Sequence, residues 1–471
     1  MAHAKGIRGT FFDFVDDPWK HVGSERDSAR FYKDGLLVIE EGRIKAFGDY
    51  AETIGGFEGL EITHITDRII MPGFIDGHVH VPQTRVLGAY GEQLLPWLLN
   101  SVFPEEIKYE DREYALEGTN QFFDNLLAGG TTTCQAFTTS CPTSTEVFFE
   151  EAARRKMLVI GGLTGIDRMA PDEMLNTPEG FYEDSKALIE KFHNKGRNLY
   201  AITPRFAYGA SPELMDACRR LKREFPDCWV NTHISENPSE IFGVVRLHNP
   251  TGDYLDHDYL SVYEDYELVG PKFSGGHGVW LSNDEFRRMH EKDASVTFCP
   301  CSNLFLGSGL FRLGKATDPN CRVKMSFGTD VGGGNRFSMF NVLDEGYKVG
   351  MLNNERLDGS IDPATKDLAE AERNKLSPYR GFWSITLGGA EGLFIDDRVG
   401  NFNPGKEADF VVIDWNGGPR AMAWHQSNMV GPEGPQSIED VASLLFSVMT
   451  VGDDRCVDET WVYGERAYKK A

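Results

Sequence analysis

Four of the chain's 12 histidines stand where they could do chemistry. His78 and His80 form an H-x-H inside PGFIDGHVH. Residues two apart on a strand point to the same side, so both rings can reach one ion. His233 closes the apolar run of WVNTHISE, His277 closes FSGGH and Asp330 closes MSFGTD. Three imidazoles and a carboxylate form a suitable donor set for a divalent transition metal. Glu236 follows His233 by three residues, close enough to carry a proton to and from a group bound at that ion. Each residue alone has an ordinary structural explanation; the set does not.

The elements that must position these residues read as follows. Residues 1–72 are short strands, such as Gly35–Glu40 and Ile44–Phe47, separated by turn signals at Glu41–Gly42. Over residues 73–392, compact apolar or Thr-rich runs (Thr131–Ala136, Leu158–Leu163, Tyr200–Thr203, Trp229–Ile234) alternate with amphipathic stretches (Tyr109–Leu127, Glu146–Arg155, Phe181–Lys195, Pro212–Glu224). That alternation predicts βαβ units and a parallel sheet. Its length suits a (β/α)8 TIM-type barrel, in which the C-terminal strand ends converge on one pocket. A doubly wound open sheet is the alternative, but no G-x-G-x-x-G follows an early strand. Residues 393–471 return to short strands: Ala408–Asp414, Val441–Val448, and Val451–Tyr468 with a turn at Gly464. The expected architecture is an α/β barrel over 73–392, flanked by a composite β-sandwich from 1–72 and 393–471. The acidic stretch Asp358–Glu372 reads as a charged surface helix or loop.

Composition narrows the partners. With 471 residues, 41% hydrophobic and 25% charged, the chain can bury a large core. Its 48 basic and 72 acidic residues give a formal charge of −24, which disfavours binding to nucleic acid or to an anionic membrane. No apolar run approaches the roughly 20 residues of a bilayer span, and no signal peptide is evident. Eight cysteines without a C-x-x-C predict reduced thiols and a cytoplasmic protein.

The motifs PGFIDGHVH, LLAGGTTT, HISE, GGHG, CPCSN and FGTDVGGG, in that order, resemble the amidohydrolase superfamily of metal-dependent hydrolases. TLGGAEGL and VGNFNPGKEADFVVID extend the resemblance to the C-terminal region. HVHVPQ, LLPWL, VFPEE, TPRF and SGL are similar to its guanine-deaminating members. The resemblance implies a barrel with a flanking β-sandwich and one Zn2+ per chain, held by His78, His80, His233 and Asp330. Ferrous iron suits the same donors. It implies Glu236, His277 and Asp330 as catalytic groups in the hydrolytic deamination of guanine to xanthine and ammonia by a zinc-activated hydroxide. Relatives with two metals usually bridge them with a Lys or an acidic residue near the fourth strand; here YAITPRF offers Arg205 and no Lys. The zinc deaminases signed by P-C-x-x-C are a different class, and that motif is absent.

For the substrate, a small purine base, Gln83 can both donate to and accept from a heterocycle edge. Arg205 offers fixed donors to an exocyclic oxygen. Phe206, Trp97 and Phe103 are candidates to line the ring faces, although core packing explains them equally well. Gly77, where many relatives carry a larger residue such as Thr, is expected to widen the pocket slightly. Relatives are commonly dimers, so a homodimer is the expected assembly. Two other readings remain: the same chemistry on another aminated ring (8-oxoguanine, cytosine or an s-triazine), and a non-catalytic assembly protein.

Overall fold

The computed structural model describes residues 4–57, 59–90, 93–249, 257–356, 367–431 and 433–471. Strands β1 (Lys5–Phe14), β2 (Ala29–Glu40), β3 (Arg43–Asp49) and β4 (Glu61–Pro72) come first. Next are eight parallel barrel strands: β5 (Phe74–His80), β6 (Thr131–Phe137), β7 (Leu158–Gly162), β9 (Asn198–Pro204), β10 (Trp229–Ile234), β11 (Phe273–His277), β12 (Ser295–Phe298) and β13 (Lys324–Phe327). The two-residue β8 (Thr164–Gly165) pairs with β9 off this path. Neighbours in the barrel are neighbours in sequence, as right-handed βαβ crossovers require. Closure comes from two backbone bonds just beyond β13: Asp330 N–H donates to His78 O at 2.8 Å and His80 N–H to Val331 O at 3.0 Å. The residues that close the barrel are therefore the residues of the metal motif.

Local chemistry starts the intervening helices. Asp111 caps Arg112–Ala128, Thr177 caps Pro178–Phe192 and Ser211 caps Pro212–Glu224, each accepting a hydrogen bond from a first-turn N–H. Ser282 and Glu285 form a capping box on Asn283–Glu291.

Strands β14 (Phe410–Ile413), β15 (Val457–Val462) and β16 (Glu465–Lys469) complete a mixed seven-stranded sheet with β1–β4, in the order β16-β15-β14-β4-β1-β2-β3. Only the β1–β4 pair is parallel. Strand alternation gives this sheet two apolar faces. Phe11, Ile70, Phe410 and Val412 build a core of their own, while Phe12, Ile69, Met71, Val411 and Ile413 pack into the large core shared with the barrel. The β-structure expected from both termini is thus a single sheet docked on the barrel.

One expected strand is a helix. Val441–Val448 lies within the helix Ile438–Val451, started by a Ser437/Asp440 capping box. Its apolar residues are too numerous to alternate, and they bury a helical face instead. Of the acidic stretch, Leu368–Arg373 is a short helix; residues 358–366 lie outside the described residues. All eight cysteines are free thiols. Among the described residues, no helix is long and apolar enough to cross a membrane.

Candidate active site

The C-terminal ends of β5, β10 and β11 and the turn after β13 bring His78, His80, His233, His277 and Asp330 together. His233 Nε2 lies 3.2 Å from His78 Nε2 and 3.2 Å from His80 Nε2. Asp330 Oδ1 lies 3.4 Å from His78 Nε2 and 3.1 Å from His80 Nε2. Four ligands in a tetrahedron about 2.0–2.1 Å from a shared ion stand about 3.3–3.4 Å apart, so this spacing fits one ion. Burial and the neighbouring imidazoles push the pKa of His233 well below its usual value, and burial lowers that of His80. Rings this close, converging beside a carboxylate, suit a cation at their centre. His233 Nδ1 donates to the Arg205 carbonyl at 2.6 Å, which leaves the Nε2 lone pair facing inward.

Backbone shape and empty space aim these side chains. His277 (φ 75°) and Asp330 (φ 48°) both adopt the left-handed conformation, costly for residues with a Cβ. A Cβ at Gly276 would stand 2.3 Å from His78 Cε1, and one at Gly328 would stand 2.7 Å from His78 Cβ. The His78 ring occupies room that only glycines leave.

Glu236 and His277 face each other beside the cluster, with Glu236 Oε2 3.5 Å from His277 Nε2. Burial, then the nearby Asp330 and Glu240 carboxylates, raise the Glu236 pKa well above the usual range, opposed by a hydrogen bond from Ser308 Oγ at 2.9 Å. Such a carboxyl holds its proton readily. Burial, together with the neighbouring His78 and His80 rings, pushes the His277 pKa down to about 3 and keeps the ring neutral, although Asp330 opposes this. Asn303 Nδ2 lies 2.9 Å from His277 Nδ1. With the amide donating there, the ring proton sits on Nε2, facing Glu236 and Asp330 (Oδ2 at 3.9 Å).

A pocket opens over the cluster. His80, His233, His277, Asp330 and Glu236 form its floor. Gln83 and Arg205 supply a polar wall; Leu94, Trp97, Leu98, Phe206 and Leu306 supply the apolar surface. Trp97 and Phe206 are thus pocket residues. Phe103 is not on the wall: it is buried behind Arg205, whose guanidinium carbon lies 5.2 Å from its ring centroid. Gly77 does not widen the pocket either. A Cβ there would meet Ser326 Oγ at 2.2 Å and Thr297 Cγ2 at 3.1 Å, inside the barrel. Its lack of a side chain lets β5 pack against β12 and β13.

Several residues at the site carried no expectation of their own. Glu106 stands inside VFPEE, Asn303 inside CPCSN and Ser308 inside SGL, motifs noted above only for resemblance. Glu240 completes the Asn237 capping box on the helix Pro238–His248 and was legible as a cap, not as a pocket residue. A second group, His193, Asp227 and Cys228, has a different character. There His193 Nδ1 accepts from Tyr200 N–H, and burial pushes the Cys228 thiol up to about 12.

The fold and the donor cluster define a barrel metallohydrolase, and residues 69–467 match the Amidohydrolase family, to which this chain belongs. The guanine deaminase of Escherichia coli (strain K12) is 42% identical over 473 residues, spanning 99% of this chain and 98% of that protein. The crystal structure of guanine deaminase from Bradyrhizobium japonicum superposes with a TM-score of 0.97 at 70% identity, covering 100% of both chains. That of guanine deaminase from C. acetobutylicum, with guanine bound in the active site, superposes with a TM-score of 0.82 at 25% identity, covering 99% of this chain and 100% of the other.

Proposed function

We propose that this chain hydrolyses guanine to xanthine and ammonia, with His78, His80, His233 and Asp330 holding one zinc ion. One observation carries the reading: the donor cluster, a buried acid and a two-residue polar wall share a single pocket. A metal ion held there would supply hydroxide at neutral pH.

The protein's own groups do the rest. Gln83 and Arg205 hold the base, with Arg205 N–H groups on the exocyclic oxygen and Trp97 and Phe206 against the ring. Glu236 passes a proton to the ring nitrogen next to the amino-bearing carbon, which makes that carbon electrophilic as hydroxide adds. His277 Nε2–H donates to the oxygen on which charge develops. Glu236, reprotonated from the added hydroxyl, then protonates the amino group. The C–N bond breaks and ammonia leaves, with the electron pair of the broken bond on the departing nitrogen. The reading takes a homodimer as the assembly and the cytoplasm as the place of action.

The test is product analysis after incubation with guanine, beside metal analysis of the same preparation. Xanthine and ammonia in equal amounts, with one zinc per chain, are expected. No turnover of guanine by the metal-loaded protein, or turnover of cytosine, 8-oxoguanine or ammelide in its place, overturns the substrate. Two tightly held ions per chain overturn the single-ion site.

A further inference from the structure

Behind the polar wall lies a carboxylate that does not itself line the pocket. Glu106, at the end of the short helix Phe103–Glu106, is 1% exposed. Its Oε2 accepts from Arg205 Nη1 at 2.6 Å and its Oε1 from Arg205 Nη2 at 3.0 Å, a bidentate pair. The same Oε1 accepts from Gln83 Nε2 at 3.1 Å. Gln83 Oε1 in turn accepts from the Gly332 N–H at 3.1 Å.

We infer that Glu106 is a positioning residue for base selectivity: it fixes which atoms Arg205 and Gln83 present to the substrate and neutralises the wall they form. The inference rests on the reading of the site as one for guanine.

Three consequences follow from the geometry. The guanidinium is pinned in its plane, so the N–H groups not donated to Glu106 point in a set direction. The Gln83 amide has one orientation, because turning it over would set its oxygen against the carboxylate and its NH2 against the Gly332 N–H. Finally, the positive charge at the wall is balanced from behind. A neutral base with an exocyclic oxygen is then recognised by hydrogen bonds, while xanthine, the more acidic product, meets no bare cation.

The experiment compares kcat/KM for guanine and for 2-aminopurine, which shares the reacting amino group but lacks the exocyclic oxygen. In Glu106→Gln, the shape is kept but only one oxygen remains to accept. The guanine-to-2-aminopurine ratio is expected to fall roughly tenfold or more, and inhibition by xanthine to tighten severalfold as Arg205 loses its counter-charge. A second arm covers a folding failure. Arg205→Leu alone strands the buried carboxylate, so the double variant Arg205→Leu/Glu106→Leu should melt higher than Arg205→Leu. An unchanged ratio in Glu106→Gln overturns the inference. So does a double variant that melts no higher than Arg205→Leu. A wild-type protein that does not turn over guanine overturns the reading of the site instead, so the two failures are distinct.

Discussion

Two residues show how strictly the site is built. Glu236 is held by Ser308 on one oxygen and faces His277 with the other, and burial keeps its proton affinity high. Glu236→Gln preserves both shape and hydrogen bonding but cannot exchange a proton near neutral pH. A positioned acid/base group contributes about 10²–10⁴-fold, so kcat should drop by at least that much with metal content unchanged. Steady-state kinetics beside metal analysis measure both; near-wild-type turnover would assign the proton to another group. Gly276 makes a contrasting case. It touches no substrate, yet the methyl of Gly276→Ala would meet the His78 ring at 2.3 Å, and the neighbour is a ring held in a cluster. That variant should lose bound metal, and activity in proportion, while keeping its secondary structure. Full metal occupancy with normal turnover would show that β11 can shift to make room.

The elements carry a second kind of constraint, because the loops after the strands must be anchored as firmly as the strands. Glu240 does this at the start of Pro238–His248. Its carboxyl accepts from the Glu236 and Asn237 N–H groups at 3.1 and 3.2 Å and from Tyr259 OH at 2.5 Å. Burial, partly offset by these bonds, raises its pKa from 4.5 to about 7. The folded protein therefore keeps this proton up to about pH 7, whereas the unfolded chain releases it near pH 4.5. The stability it contributes is fully present below the unfolded value and is lost as pH rises through the folded one. In Glu240→Gln the loss is absent. The stability gap between variant and wild type should move in favour of the variant by about 2–3 kcal/mol between pH 5 and pH 8. Urea unfolding at the two pH values gives the gap directly, and a constant gap would place the Glu240 pKa in the ordinary range.

At the scale of the whole molecule, the terminal sheet grips the end of the barrel opposite the pocket. Arg197, just before β9, donates to Glu407 at 2.8 Å and to Asp409 at 2.6 and 3.2 Å, all three buried. Asp409 also accepts from Tyr463 N–H, and its carbonyl accepts from Gly73 N–H where β4 passes into β5. Removing one member of a buried ion cluster costs about 3–5 kcal/mol, more than the cluster contributes over an apolar replacement. Arg197→Met should therefore lower the melting temperature by several degrees or more and leave kcat at 25 °C near wild type. Adding Asp409→Asn, at the carboxylate left without its cation, should recover much of the loss, whereas Glu407 keeps its pair with Arg398. If Arg197→Met melts like the wild type, this contact does not join the two sheets.

The sequence by itself determined the alternation of strands and helices and the His and Asp residues at the strand ends. Each of these depends on residues near one another along the chain. A strand points residues i and i+2 to one side, and a barrel gathers its strand ends. The tertiary structure decided what depends on residues distant in sequence. Glu106 meets Gln83 across 23 residues and Arg205 across 99, and no periodicity marks such a pair. The same holds for Phe103 standing behind the wall and for Gly77 serving the barrel interior. Local pattern places a residue on an element; only the closed barrel decides which side chain that residue meets.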